Sequence, residues 1–183
     1  MIRAYLAGPD VFLPNAAEHA AAKVAICARH GILGCPPVDE EIQRATGLPP
    51  DQAWRAIYAR VTATMEASDL VIANLTPFRG ASADSGTLVE LGWFLGRGRP
   101  AFGYSNTALP FEARSRAVTA VLPDPMPDLV TEGFGLPDNL MVPGAVLQAG
   151  GLPIILPEDG LDHPFDGLDT FARCVAQVAE TVL

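Results

Sequence analysis

Ser68-Asp69-Leu70-Val71-Ile72-Ala73-Asn74 is the stretch on which the fold turns. Its four central residues are all apolar, with no alternation that would leave one face wet. Such a run fits a strand covered on both sides, as in a parallel sheet. The segments on either side have helical character. Upstream, residues 51–68 place Trp54, Ile57, Tyr58, Val61 and Met65 near helical spacing. Downstream, a loop over residues 74–85, rich in Pro, Gly, Ser and Asp, leads into a helix over residues 86–95.

The same alternation extends outward. Residues 2–7 form a buried strand stopped by Gly8-Pro9, and residues 15–30 form an alanine-rich helix with Asn15 as N-cap and Gly31 as its stop. Residues 32–38 make a weaker strand broken by Pro36-Pro37, residues 100–104 the next, and residues 152–156 the last. Residues 168–183 close the chain as an amphipathic helix. Between 105 and 151, prolines and glycines erase the periodicity, and this part is an irregular excursion with room for a helix. The prediction is one α/β domain over residues 1–183. It is a three-layer α/β/α sandwich with a mostly parallel, flavodoxin-like (Rossmann-like) sheet of about five strands.

Composition narrows the function. The chain has 183 residues, 49% of them hydrophobic and 18% charged, a balance suited to a packed core. A formal charge of -9 repels a phosphate backbone, so polymeric nucleic acid is excluded as a partner while a small uncharged nucleoside is not. Cys27, Cys35 and Cys174 show neither metal spacing nor a disulfide framework, which favours a reducing, cytoplasmic location. The first apolar run is too short for a signal peptide, and no stretch reaches membrane-spanning length. His19, His30 and His163 lack partners that suggest catalysis or metal binding.

In a doubly wound sheet, ligands bind beyond the carboxyl ends of the strands. Three segments fall there: Gly8-Pro9-Asp10, the loop over 74–85, and Asp39-Glu40-Glu41. The most informative residues follow the second, Asp84-Ser85-Gly86-Thr87-Leu88-Val89-Glu90-Leu91-Gly92. Glu90 is the one charge in a small and apolar helical run. It needs either a cleft or partners, because an isolated buried charge is very costly. An ionised carboxylate beside an apolar wall suits a nucleophile toward a sugar carbon. Thr87 and Glu90 also fit a capping box, with Thr87 as N-cap, and spacing alone does not separate the two readings. Asp84 and Asp69 add carboxylates of the kind glycosidic chemistry uses in pairs.

At these residues the sequence resembles the nucleoside 2-deoxyribosyltransferase family. Tyr5-Leu6-Ala7-Gly8-Pro9 is similar to the family's opening strand and turn, and Ser68 to Asn74 to its central strand with an active-site aspartate. Asp84 to Gly92 matches its nucleophile motif, and Asn139-Leu140-Met141 is similar to a segment that enters a neighbouring subunit's site. The clear part of the match covers roughly the first hundred residues.

The resemblance implies that Glu90 attacks C1′ of the deoxyribose and that Asp69 protonates the departing base. It implies that Tyr5 holds Glu90 and crowds the 2′ side of the sugar. Asp84, with Asn139 from another subunit, binds the 5′-hydroxyl; Met141 lines that shared site, and Gly8 belongs to the substrate-binding set. No metal or cofactor is implied. The implied partners are 2′-deoxynucleosides, free nucleobases and at least one further copy of the chain. The family contacts the base near Asp39 to Glu41, which leaves purine or pyrimidine preference open.

Three alternatives stand beside this reading. A nucleoside 5′-monophosphate N-glycosidase shares fold and nucleophile but must bind a phosphate, which Asp84 would repel. Phosphoribohydrolases of the cytokinin-activating type have a glycine-rich lead-in where this chain has Ala81 to Ser85. From another class, the chain can be a non-catalytic nucleotide-binding module on the same fold.

Overall fold

Leu70–Asn74 forms the strand β3, and all five of its residues are buried. A computed structural model describes residues 1–121 and 127–183 of the chain. In chain order the elements are β1 (Ile2–Ala7), α1 (Ala16–Arg29), β2 (Ile32–Cys35), α2 (Glu40–Thr46), α3 (Pro50–Glu66) and β3. They continue with α4 (Ser85–Gly96), β4 (Ala101–Tyr104), α5 (Phe111–Val121), α6 (Met141–Gly150) and α7 (Asp169–Val182). Every strand pair is parallel, and the order is β2-β1-β3-β4.

Period-two alternation divides the strand residues between two cores. Ala4, Leu6, Leu70, Ile72, Phe102 and Tyr104 face one way, against Ile26 and Cys27 of α1 and Phe171, Cys174, Val175 and Val178 of α7. Tyr5, Ala7, Val71, Ala73 and Ala101 face the other way, against Leu91 and Phe94 of α4 and Val142 and Val146 of α6. These are the three layers expected from the buried strands. The register sets Tyr5 level with Val71 and Ala7 level with Ala73.

Among the described residues the sheet has four strands where about five were expected. Ile155 occupies the fifth position as an isolated parallel bridge to Tyr104, with Ser105 N–H donating to Ile155 O and Ile155 N–H to Gly103 O. Pro153 and Pro157 bracket it and have no N–H to extend the ladder. With that bridge counted, the order is the flavodoxin-like 2-1-3-4-5.

Two further differences bear on the site. The irregular region over 105–151 contains two helices, α5 and α6; its residues 122–126 lie outside the described residues. The acidic segment after β2 forms the short helix α2, capped by the Asp39 carboxylate, which accepts from Ile42 N–H at 2.9 Å. Among the described residues, no helix is long and apolar enough to cross a membrane.

Candidate active site

The sheet order reverses between β1 and β3, and the crevice opens beyond their carboxyl ends. Gly8 sits at the end of β1, at φ 155 and ψ 160, a region that essentially only glycine adopts. A Cβ there would stand 2.7 Å from Asn74 Cβ and 2.9 Å from Asp10 Oδ2. The turn Pro9–Phe12 can therefore approach β3 closely only because residue 8 lacks a side chain.

Across the crevice, α4 begins at Ser85 with Asp84 as its N-cap. Asp84 Oδ2 accepts from Thr87 N–H at 2.9 Å and from Thr87 Oγ1 at 3.1 Å. The capping box centred on Thr87 is thus not formed: the cap lies three residues earlier, and Glu90 turns elsewhere. Glu90 Oε1 accepts from the Tyr5 hydroxyl at 2.7 Å. Phe94, one turn beyond Glu90, stacks on the Tyr5 ring with centroids 6.1 Å apart. Two positions on one helix face thereby fix both ends of the tyrosine.

Burial raises the Glu90 carboxyl to about 7, the Asp84 charge adds to the rise, and the Tyr5 hydrogen bond opposes it. Tyr5 is itself fully buried, and burial together with the Glu90 charge pushes its hydroxyl far above the usual phenol range. The Tyr5 proton therefore stays on oxygen and is shared as a donor. Tyr5 reaches the crevice through Glu90.

The cavity in front of Glu90 is about 430 Å³ and also receives Asp84, Gly86 and Thr87 from the start of α4. Its remaining walls are Gly8, Val11 and Phe12 after β1, Pro37 after β2, Ile42 and Thr46 of α2, and Ile57 and Val61 of α3. Asp84 and Glu90 are the only ionisable groups among these lining residues. A Cβ at Gly86 would lie 3.0 Å from Asp84 Oδ2, so its absence leaves that carboxylate uncrowded.

Asp69 does not join them. It precedes β3 at its amino end, is exposed, and accepts from Arg3 N–H at 2.8 Å. Five residues of extended strand, about 16 Å, separate that level from the carboxyl end. The role of proton donor to the base is therefore corrected: in this chain Asp69 ties the beginnings of β3 and β1 together.

The acidic segment also differs from expectation, because Arg60 takes both Asp39 (2.7 Å) and Glu41 (3.0 Å). What faces the cavity from α2 is Ile42 and Thr46. Asn139 and Met141 are exposed and lie outside the cavity of their own chain. Asn139 Nδ2 donates to Glu132 at 3.1 Å, and its Oδ1 accepts from Met141 N–H at 3.1 Å.

Two supporting clusters escaped the sequence reading. Behind Gly8, the buried Lys23 donates to Asp10 Oδ2 at 2.6 Å, and Asn74 Nδ2 donates to Asp10 Oδ1 at 2.7 Å. His19 stands 3.6 Å from the same carboxylate, so it belongs to this buried group and not to the surface. Burial alone would raise the Asp10 carboxyl, but Lys23, His19 and Asn74 outweigh it and hold the group below its ordinary range. On the other side, buried Asp138 accepts from Ser82 Oγ at 2.6 Å and from Ala83 N–H at 2.9 Å. Arg114 donates to the carbonyls of Ala81, Leu109 and Pro137. The loop carrying Asp84 is thus pinned from beneath by α5 and by the segment before α6. His163 likewise has a partner, Asp159, at 2.9 Å.

Comparison with known proteins places this arrangement. Residues 4–141 match the family model described as nucleoside 2-deoxyribosyltransferase. The fold is similar to that of a 2-desoxiribosyltransferase from Leishmania mexicana, with TM-score 0.67 and 25% identity over 100% of both chains. A conserved protein from Enterococcus faecalis V583 shares the fold at TM-score 0.56 and 19% identity, over 97% of this chain and 98% of that one. An uncharacterized protein of Schizosaccharomyces pombe, C191.05c, is 28% identical over 164 residues, 80% of this chain and 78% of its own. With the model spanning both the Tyr5 strand and the Glu90 helix, the chain belongs to the nucleoside 2-deoxyribosyltransferase family.

Proposed function

We infer that this protein transfers 2-deoxyribose between nucleobases by a retaining double displacement through a covalent glycosyl-Glu90 intermediate. The observation that carries this reading is the Tyr5–Glu90 contact at 2.7 Å beside a cavity of about 430 Å³. Among the described residues, Glu90 Oε2 has no hydrogen-bond partner, so one oxygen is held and the other is left to react. A carboxylate made more basic by burial is the better nucleophile toward C1′. Attack inverts C1′ once, and the acceptor base inverts it again.

Asp84 supports a nucleoside over a nucleotide. Its carboxylate lines the cavity, where a 5′-phosphate would meet like charge in a poorly screened site. A 5′-hydroxyl can instead donate to it, with Asn139 of a second copy as a further ligand. The exposure of Asn139 and Met141 on their own chain suits that use. We take the working form to be a homo-oligomer, at least a dimer, in the cytoplasm.

The test is a trap. Incubation with a 2′-deoxy-2′-fluoro nucleoside should add one sugar mass at Glu90, and an exchange assay should convert deoxyinosine and adenine to deoxyadenosine. Thymidine as donor and cytosine as acceptor in the same assay define the base class. A chain that binds nucleosides yet forms neither adduct nor exchange product is a binding module.

A further inference from the structure

Base departure ordinarily needs a proton, and among the described residues that line the cavity the only ionisable groups are Asp84 and Glu90. Beyond the sugar-facing carboxylates, α3 presents Ile57 and Val61, one turn apart, and α2 presents Ile42 and Thr46. The Thr46 hydroxyl is already donated to Gln43 O at 2.7 Å. Asp69 is at the far end of β3, bonded to Arg3 N–H. Glu90 is used as the nucleophile, and Asp84 Oδ2 is engaged by Thr87 in the helix cap.

The same walls are selective in charge. Among the described residues no basic side chain lines the cavity, and its two ionisable groups are both carboxylates. Arg60, next to Val61 in sequence, is turned onto Asp39 and Glu41. Phe12 lines the cavity, 65% exposed, and stacks on Phe78 with ring centroids 5.5 Å apart and an interplanar angle of 16°. A cation over such an aromatic surface, with carboxylates nearby, is favoured electrostatically.

We propose that the site favours 2′-deoxynucleosides whose base is already a cation, an N-alkylpurinium or a pyridinium, because such a base leaves without being protonated. The inference rests on the glycosyl-Glu90 reading. In the first step a Glu90 oxygen bonds to C1′ while the C1′–N bond breaks. Its electron pair returns to the base nitrogen and neutralises the ring, so no proton moves. In the second, water or a free base attacks C1′, Glu90 leaves as the carboxylate, and the attacker's proton passes to solvent.

The full chain is assayed with 7-methyl-2′-deoxyguanosine and with 2′-deoxyguanosine at one pH, with enzyme-free decay subtracted. A positioned general acid is worth about 100-fold or more, so kcat/KM for the methylated donor should exceed that for the neutral one by at least about that factor. Val61→Asp, which places a carboxyl on the α3 wall, should raise the neutral donor's rate about tenfold and leave the cationic donor unimproved. Equal turnover of the two donors by the unaltered chain, or an equal gain for both in the variant, overturns the proposal. If the fluorinated nucleoside still labels Glu90 in that case, the transferase reading survives; if neither labelling nor turnover occurs, both fall.

Discussion

The Tyr5 hydroxyl reaches Glu90 Oε1 across 2.7 Å and joins residues 85 positions apart in the chain. One comes from the middle of β1 and the other from the second turn of α4, so the contact forms only when sheet and helix are assembled. Its consequence is electrostatic. Tyr5 is the one contact opposing the burial and the Asp84 charge that raise the Glu90 carboxyl.

Tyr5→Phe removes that opposition and leaves the burial in place. The Glu90 carboxyl then moves above its value of about 7, and the limb of the kcat/KM profile that rises with pH shifts toward alkali. Loss of a hydrogen bond to a charged group, roughly 1.5–3 kcal/mol, should lower exchange at pH 7 by at least about tenfold. A full pH–rate profile of the variant checks the direction, and an unmoved limb would refute the assignment.

Glu90→Gln should abolish base exchange while leaving the circular dichroism spectrum unchanged. It should also stabilise the fold in one pH window. The folded carboxyl is raised from 4.5 to about 7, so the folded state holds its proton more tightly than the unfolded chain. The favourable contribution is complete below 4.5 and is lost as pH rises through 7. Allowing for partial exposure, the variant should gain about 2 kcal/mol at pH 8 and almost nothing at pH 4, read from urea midpoints.

Asp84→Ser separates two roles of one side chain. Serine is as good an N-cap as aspartate, so α4 should keep its start, whereas Asp84→Ala should cost about 1 kcal/mol. Removing the charge should raise acceptance of a 5′-monophosphate relative to the free nucleoside. Competition between deoxyinosine and its 5′-monophosphate measures this, and an unchanged ratio removes Asp84 from 5′ recognition.

Asp69→Asn should retain exchange within about twofold, since small surface changes away from a site alter little. The asparagine oxygen can still accept from Arg3 N–H, as the carboxylate does now. A loss of activity comparable to that of Glu90→Gln would restore Asp69 to the reaction.

Lys23→Met leaves the Asp10 charge buried without its main partner. Breaking a buried pair from one side costs about 3–5 kcal/mol, which for a chain of this size lowers Tm by about 10 °C. The double change Asp10→Asn with Lys23→Met should recover much of that loss. Thermal melts of the three proteins decide it; an additive loss would show that the pair is not coupled.

What could be read from the sequence was whatever is local. The apolar run of β3, the glycine stop after β1 and the lone charge of Glu90 each speak within a few residues, and they led to the three-layer fold. The helix α2 escaped because seven residues show too little periodicity, although Asp39 before Glu40-Glu41-Ile42 is a legible N-cap signal. Asp69 sits in a motif that resembles the family's, but it precedes β3 at the amino end, and strand direction puts it away from the crevice. The clusters around Asp10 and Asp138 join residues 13 to 64 positions apart, and no short-range pattern announces such pairs.

The proline-bracketed bridge at Ile155 has a further consequence for the chain's behaviour in a crowded solution. An open strand edge invites a strand from another molecule to dock and begin a fibril. Beside β4, that position is filled by a segment that bonds through Ile155 and Ser105. Pro153 and Pro157 offer no amide hydrogens to a newcomer. The sheet is thus closed to intermolecular growth on that side by two residues that, read alone, merely shorten a strand.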